Sequence, residues 1–395
     1  MAKKRGHGEG TITRLPSGKW RGRVTIGRDR EGRAIRKSIT RKTRQEVAQE
    51  LTKLLNQVQA GSYIEPSLVT VKQWFGDWLA GRKPHIEEKT YIGHELMIRR
   101  HILPEFGDMK LGDVRTRDVQ KLLNEKLEAG LSVRTVKYIY TTLNMGFKQA
   151  IRERLITFNP ADSDAVELPK QRKKEIQVLD REEMARFLEA AKKYSPHYTA
   201  FVLEMATGLR RGELLALRWT DVDLKQGTLA VNQQLVRSSK GLEFKGYLKT
   251  EKSRRTISLD EDITKALKAH RRKQEKWKTE LTLKVGGEKA FKEIYRENNL
   301  LFCTDTGRPL DPDNFTRHFK FLLRKAELKD IPFHRLRHTF ATMALEAGIP
   351  VKTVQEILGH STSRMLMDIY AHVTPAMHRE AARRIGGVVA GMIKK

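Results

Sequence analysis

Apolar residues change their spacing twice along this 395-residue chain, so the sequence specifies several domains rather than one core. Up to Ile39 they alternate. Thr11–Leu15 and Trp20–Ile26 are separated by the turn Pro16-Ser17-Gly18, and a second turn at Asp29–Gly32 precedes Arg33–Ile39. Thr43 then caps a helix over Thr43–Val58, with Glu46 as capping-box partner and Leu51, Leu54, Leu55 and Val58 on one face. From Leu68 to Asn159 the spacing is helical, over Val71–Leu79, Glu87–His101, Thr116–Ala129 and Ser132–Glu153. Asn159-Pro160 breaks that run, and the basic stretch Lys170–Lys174 follows. Beyond Ile176 helices mix with strands at Thr228–Leu235, Phe244–Lys249 and Arg255–Leu259, the last two read as a hairpin around Thr250–Arg254. His270–Leu300 is a long polar helical stretch broken by Gly286-Gly287. The expected fold is multidomain. It has a small α+β module (three-stranded sheet plus helix) at 1–61, an all-α domain at 68–159, a linker at 160–175 and a mixed α/β, mainly helical domain at 176–395.

The charge narrows the partners. Lys and Arg number 77 against 48 Asp and Glu, a net +29, which favours a polyanion, nucleic acid ahead of an anionic membrane surface. The first 60 residues alone hold 16 Lys and Arg against 5 Asp and Glu. Arg21, Arg23, Arg28, Arg33 and Arg36 lie in or beside the expected strands, where a sheet could enter a major groove. Arg99, Arg100, Arg134 and Lys137 recur through the helical domain and read as a clamp for a nucleic-acid backbone, and Lys173 sits in the linker. A solvated basic face is the plain alternative for each set. No run of about 18 apolar residues occurs, and the basic N-terminus lacks the apolar region of a secretory signal. Cys303 is the one cysteine, so no intramolecular disulfide can form, and a reducing cytoplasmic setting is expected.

Four patches in the last domain carry the polar groups of a phosphoryl-transfer site. Thr207-Gly208-Leu209-Arg210 joins two apolar runs through a glycine turn that presents Arg210, whose guanidinium can fork onto two phosphate oxygens. Lys249, near a strand end, could protonate a leaving oxygen. His334 and Arg337 share a helix face at i and i+3, with Ala341 beside them and Leu336 and Phe340 on the neighbouring core-facing ridge. Imidazole titrates near neutrality, so His334 can exchange a proton with a reacting hydroxyl. Gly359 ends a helix at His360, and Tyr370 follows in Tyr370-Ala371-His372-Val373. A metal is not expected: His334 and His338 have no further ligand nearby in sequence, and no Walker A sequence is present.

In order, spacing and flanking residues these patches resemble the tyrosine recombinases, the lambda-integrase-like phage and conjugative-transposon integrases. The resemblance extends over essentially the whole chain. It implies catalytic roles for Arg210, Lys249, His334, Arg337 and His360, with Tyr370 as nucleophile. The product would be a 3′-phosphotyrosyl link, which preserves the bond for rejoining without metal, nucleotide or other cofactor. Glu213 would orient the Arg210 turn, and His338 would pack beside it. The resemblance further implies an arm-type DNA-binding module at 1–61, a core-binding domain at 68–159 and a catalytic domain at 176–395. The implied partners are double-stranded DNA at arm-type and core-type attachment sites, a homotetramer passing through a Holliday junction, and a DNA-bending host factor or excisionase. The short apolar segment Ile385–Ile393 would dock on a neighbouring subunit. One departure is local: Ser363-Arg364-Met365-Leu366-Met367 stands where the family has a small, Thr-rich run. Two other readings remain. Ala344–His360 reads superficially as a helix-turn-helix of a non-enzymatic regulator, and a type IB topoisomerase or telomere resolvase would share the chemistry.

Overall fold

The computed structural model describes residues 10–28, 31–60, 63, 68–170, 177–246, 254–359 and 382, 383, 385, 386, 389 and 392. The chain divides into two compact units, Met1–Arg172 and Lys173–Lys395.

The first unit opens with an antiparallel sheet of strands β1 (Thr11–Arg14), β2 (Trp20–Arg28) and β3 (Ala34–Arg41), with β2 central. Alternation turns Val24 and Ile26 toward helix α1 (Arg44–Gln59), whose Leu51 and Leu54 complete a small core. The Thr43/Glu46 capping box forms as the sequence indicates. In register, Arg23 pairs with Ser38 and Thr25 with Arg36, so Arg21, Arg23 and Arg36 share the face away from α1. Arg33 is exposed in the turn before β3, and Arg28 pairs with Ala34 at the end of β2.

A second core in this unit belongs to α2 (Val71–Arg82), α3 (Glu88–Met97), α4 (Leu103–Phe106), α5 (Thr116–Glu128) and α6 (Val133–Arg152). The expected helix Glu87–His101 is interrupted by a π-helical turn at Ile98–Ile102, which carries the exposed Arg99 and Arg100. Gly146 of α6 lies against the Phe75 ring, where a Cβ would stand 2.4 Å from the ring edge, and its carbonyl accepts the Trp74 Nε1 hydrogen. Helix α6 stops before Pro160 is reached. Arg154 adopts a left-handed φ of 58°, and Leu155 N donates to Ala150 O. Ala161 and Val166 then bury in the helical core, so packed structure runs past Pro160 into the stretch read as a linker. Arg134 is exposed and Lys137 half-buried on α6. Lys173 lies outside the described residues.

The second unit begins at α7 (Arg181–Tyr194), capped by Asp180 and Glu183. Helices α8 (Tyr198–Thr207) and α9 (Arg211–Leu214) follow. The strands are β4 (Val222–Asp223), β5 (Thr228–Val231), β6 (Gln233–Ser238), β7 (Gly241–Gly246) and β8 (Arg255–Ser258). Their pairing corrects the sequence reading. The run Thr228–Leu235 is two strands divided at Asn232, whose side chain binds Asp221. β7 folds back on β6, with Gly241 at φ +111° closing the turn, while β8 pairs with β5. Among the described residues Phe244 and Arg255 therefore lie in different sheets, and the turn expected at Thr250–Arg254 lies outside them except for Arg254. The polar helix starts earlier than expected, as α10 (Glu261–Lys284) capped by Asp260, and breaks at Gly286-Gly287 before α11 (Glu288–Ile294). Helices α12 (Pro312–Lys325), α13 (Arg335–Glu346) and α14 (Val351–Leu358) complete the unit. Phe187, Phe201, Phe315 and Phe319 stack into the core that seats α7, α8 and α12. Among the described residues no helix is long and apolar enough to cross a membrane.

Candidate active site

Helix α8 ends where Gly208 takes φ +59°, a conformation open to glycine. A Cβ there would stand 2.7 Å from both Phe340 and Leu358, so the turn can lie flat against α13 and α14 only as glycine. Two residues on, Arg210 heads α9. Its N–H donates to Glu213 Oε2 at 3.0 Å and its Nη1 to Oε1 at 2.7 Å. Glu213 is completely buried, and Arg255 of β8 reaches the same carboxylate, Nη2 to Oε2 at 2.7 Å and Nη1 to Oε1 at 3.3 Å. Two guanidiniums thus flank one carboxylate, a charge-assisted arrangement that fixes both side chains.

The last carbonyls of a helix have no backbone donors and carry the negative end of its dipole. At α14 three successive carbonyls are met by three different arginines. Ile357 O accepts from Arg255 Nε at 2.5 Å, Leu358 O from Arg337 Nη2 at 2.5 Å and Gly359 O from Arg210 Nη2 at 3.1 Å. Gly359 ends the helix in a left-handed conformation, φ +63°. Arg337 also donates Nη1 to Gly208 O at 2.7 Å. One side chain therefore ties the Gly208 turn, the His334–Arg337 helix start and the Leu358-Gly359 turn together. Arg337 is wholly buried, whereas the Arg210 side chain is 37% exposed. Burial and then the neighbouring Arg210 lower the Arg337 pKa, to about 9, which leaves it cationic at neutral pH.

His334 stands exposed at the N-terminus of α13. The protein around it, followed by the charges of Arg337, Arg210 and Arg335, pushes its pKa below the usual imidazole value, so it is a neutral base at pH 7. The His338 ring meets it edge-on at 5.1 Å between centroids. His338 is buried, its Nδ1 has no hydrogen-bond partner, and desolvation ahead of nearby His334 lowers its pKa to about 4. Phe340, read as core-facing, is half-buried over Gly208, and Leu336 takes the core. Thr339 holds α13 to the start of α7 by accepting from Leu179 N at 3.1 Å. Among the described residues no group of three His, Cys, Asp or Glu stands close enough to hold a metal ion.

Arg210, Glu213, His334, Arg337 and His338 are thus gathered at one place. Lys249, His360 and Tyr370 lie outside the described residues. So does the Ser363–Met367 run. The helix-turn-helix reading of Ala344–His360 meets a real local geometry, α13 and α14 joined at Gly348 (φ +80°), but the end of α14 is taken up by the three arginines.

Comparison with known proteins decides the family. The phage integrase family model matches residues 177–377, and the phage integrase N-terminal SAM-like domain matches 70–127. A tyrosine recombinase XerC-like protein of Caldanaerobacter subterraneus subsp. tengcongensis is 31% identical over 92% of this chain and 94% of its own. The chain belongs to the phage integrase family of tyrosine recombinases. It is an enzyme of DNA cleavage and rejoining, and its relatives act in site-specific recombination of mobile elements. The ICEBs1 integrase of Bacillus subtilis is 25% identical over 95% of this tyrosine recombinase and 99% of its own length. The fold is that of the Tn1549 transposon integrase solved with transposon right end DNA (TM-score 0.67, 24% identity, 80% of this chain and 100% of that one). It is also that of a lambda integrase tetramer solved on a Holliday junction (TM-score 0.57, 21% identity, 93% and 96%). Within this tyrosine recombinase the sequence reading did not assign a role to Arg255 or Glu204. Arg255 sits in a basic run, Ser253-Arg254-Arg255, where nothing local separates a buried arginine from an exposed one.

Proposed function

We propose that the arginine cluster at the end of α14 is the phosphate clamp of an integrase that cuts and rejoins DNA through Tyr370. Arg210 and Arg337 hold the two non-bridging oxygens of the scissile phosphate, and His360, the next residue after the clasped turn, adds a hydrogen bond. His334 accepts or steers the proton of the Tyr370 hydroxyl, a weak nucleophile until it is deprotonated. Tyr370 Oη forms a bond to phosphorus as the 5′ oxygen leaves, and Lys249 gives that oxygen its proton. Glu213 holds Arg210 in place, and His338 packs behind His334. The observation that carries this reading is the meeting of Arg210, Arg255 and Arg337 on three consecutive carbonyls beside a neutral His334. Donors fixed before the reaction lower the barrier as charge builds on phosphorus.

DNA is the partner that this chemistry and the basic composition require. Arg21, Arg23, Arg28, Arg33 and Arg36 bind arm-type sites, and Arg99, Arg100, Arg134, Lys137 and Lys173 follow core-site phosphates. Domains at 1–61, 68–159 and 176–395 would hold the two kinds of site at once, in a tetramer helped by a bending factor or excisionase. The test is Arg210→Lys, which keeps the charge and loses the fork. Attachment-site affinity should stay within about threefold while single-turnover cleavage slows about a hundredfold. Equal losses of binding and cleavage would place Arg210 in DNA binding instead.

A further inference from the structure

One acid beneath the clamp has no part in that chemistry. Glu204 lies in the last turn of α8, and its backbone carbonyl accepts the Gly208 N–H at 2.7 Å, at the turn that presents Arg210. Its side chain is wholly buried, and neither carboxyl oxygen has a hydrogen-bond partner. Arg337 is equally buried, with Nη1 and Nη2 engaged and Nε unpartnered. An unpaired carboxylate in such a place is far more costly than the neutral acid.

The charges acting on Glu204 come from three elements: Arg337 of α13, which opposes the effect of burial most, Glu213 at α9 and Arg255 of β8. His338, also on α13, is neutral at pH 7. Helix α7 meets α8 through the apolar pair Phe187 and Phe201, and α10 buries Thr264 and Leu267 on its inner side. His197, at the opposite end of α8, feels His318 and then His270 rather than Glu204. Burial dominates, and it pushes the Glu204 carboxyl well above the usual carboxylate range.

We propose that Glu204 is a positioning residue of the phosphate clamp: as a neutral acid it leaves Arg337 to the scissile phosphate, and as an anion it draws Arg337 away. The inference rests on the clamp reading above. With Glu204 neutral, Glu213 is the one carboxylate charge set against the three guanidiniums of Arg210, Arg255 and Arg337, leaving positive charge for a phosphate that gains negative charge in the transition state. When Glu204 loses its proton to bulk water, the carboxylate takes the unused Nε–H of Arg337 and cancels one of those charges. Cleavage then falls as pH rises through the titration of Glu204, and substrate phosphate in the clamp shifts that titration to higher pH.

Glu204→Gln is isosteric and neutral at every pH. Single-turnover cleavage of a nicked suicide substrate, followed from neutral to alkaline pH, should run within about threefold of wild type at pH 7. Above the Glu204 titration the variant-to-wild-type ratio should climb by up to about tenfold per pH unit. A ratio that stays constant across pH, whatever its size, gives Glu204 a merely structural role and overturns the proposal. If the variant does not fold, infrared spectra of the wild-type protein decide. At pH 7 a protonated-carboxyl C=O band should remain and titrate away in alkali; no such band means that Glu204 is already ionised, and the proposal fails. A wild-type protein that shows the band but forms no covalent DNA product would contradict the clamp reading alone.

Discussion

The polar side chains of the site differ sharply in how visible they are in sequence. Arg210 and Glu213 lie three residues apart across the first turn of α9, so local geometry alone brings them together. Arg255 and Glu204 join them only through tertiary contacts, and no spacing rule links position 255 to position 213 or 357. Arg337 was legible as a helix residue beside His334, but its complete burial was not, because that depends on the carbonyls of Gly208 and Leu358. His338 has a measurable consequence. Unfolded histidine takes up its proton near 6.5, and the folded one only near 4. Between those values the unfolded chain binds more protons, so stability is complete above about pH 6.5 and is lost as pH falls toward 4. The largest contribution of this one group is about 3 kcal/mol. His197, whose pKa is also lowered to about 4, acts in the same direction. Replacing His338 with Phe removes its proton uptake. Urea midpoints of the second unit measured from pH 7 to 4 should then fall less in the variant than in the wild type. Parallel curves would mean that His338 titrates normally in the folded protein.

Elements were most legible where their ends carry local chemistry. The capping boxes at Thr43/Glu46 and Asp180/Glu183 form as their residues dictate, and Gly130, Gly208 and Gly359 end helices in left-handed conformations. Strand pairing was less legible, since an apolar run does not name its partner. A tight turn closed by Gly241 folds β7 onto β6 before β8 is reached. The end of α14 holds the site together, and Gly359 is the residue that permits it. A Cβ there would stand 2.9 Å from Arg255 Nη1 and 3.1 Å from its Cδ, at a φ strained for any other residue. Gly359→Ala should therefore cost about 1–3 kcal/mol and displace Arg255 from Ile357 O. Thermal melts should register the loss of stability, and DNA cleavage should fall further than DNA binding. A variant as stable and active as wild type would mean that the arginine clasp is not needed.

At the scale of the whole chain, two units and a net charge of +29 suit a protein that grips a long polyanion at separate places. The multidomain reading came from changes in apolar spacing, which survive because each core is built from local elements. How far packing continued was less visible: Ala161 and Val166 are buried after the Pro160 break. Near the C-terminus Ile385, Val389 and Met392 are 65%, 47% and 72% exposed, at i, i+4 and i+7. An apolar stripe of that kind suits a second subunit. Truncation after Arg384 should spare cleavage of a single site and abolish synapsis and strand exchange, read by native gels of paired sites. Intact recombination would remove the docking role.

The proposed mechanism stands on a covalent bond between Tyr370 and DNA. Its most direct measurement is denaturing electrophoresis of suicide-substrate reactions with the wild type and Tyr370→Phe. The wild type should give a protein–DNA adduct that survives denaturation and is attached at the 3′ phosphate. The variant should bind the same DNA with unchanged affinity and give no adduct. An adduct that persists in Tyr370→Phe, or a wild type that binds without forming one, would contradict the account.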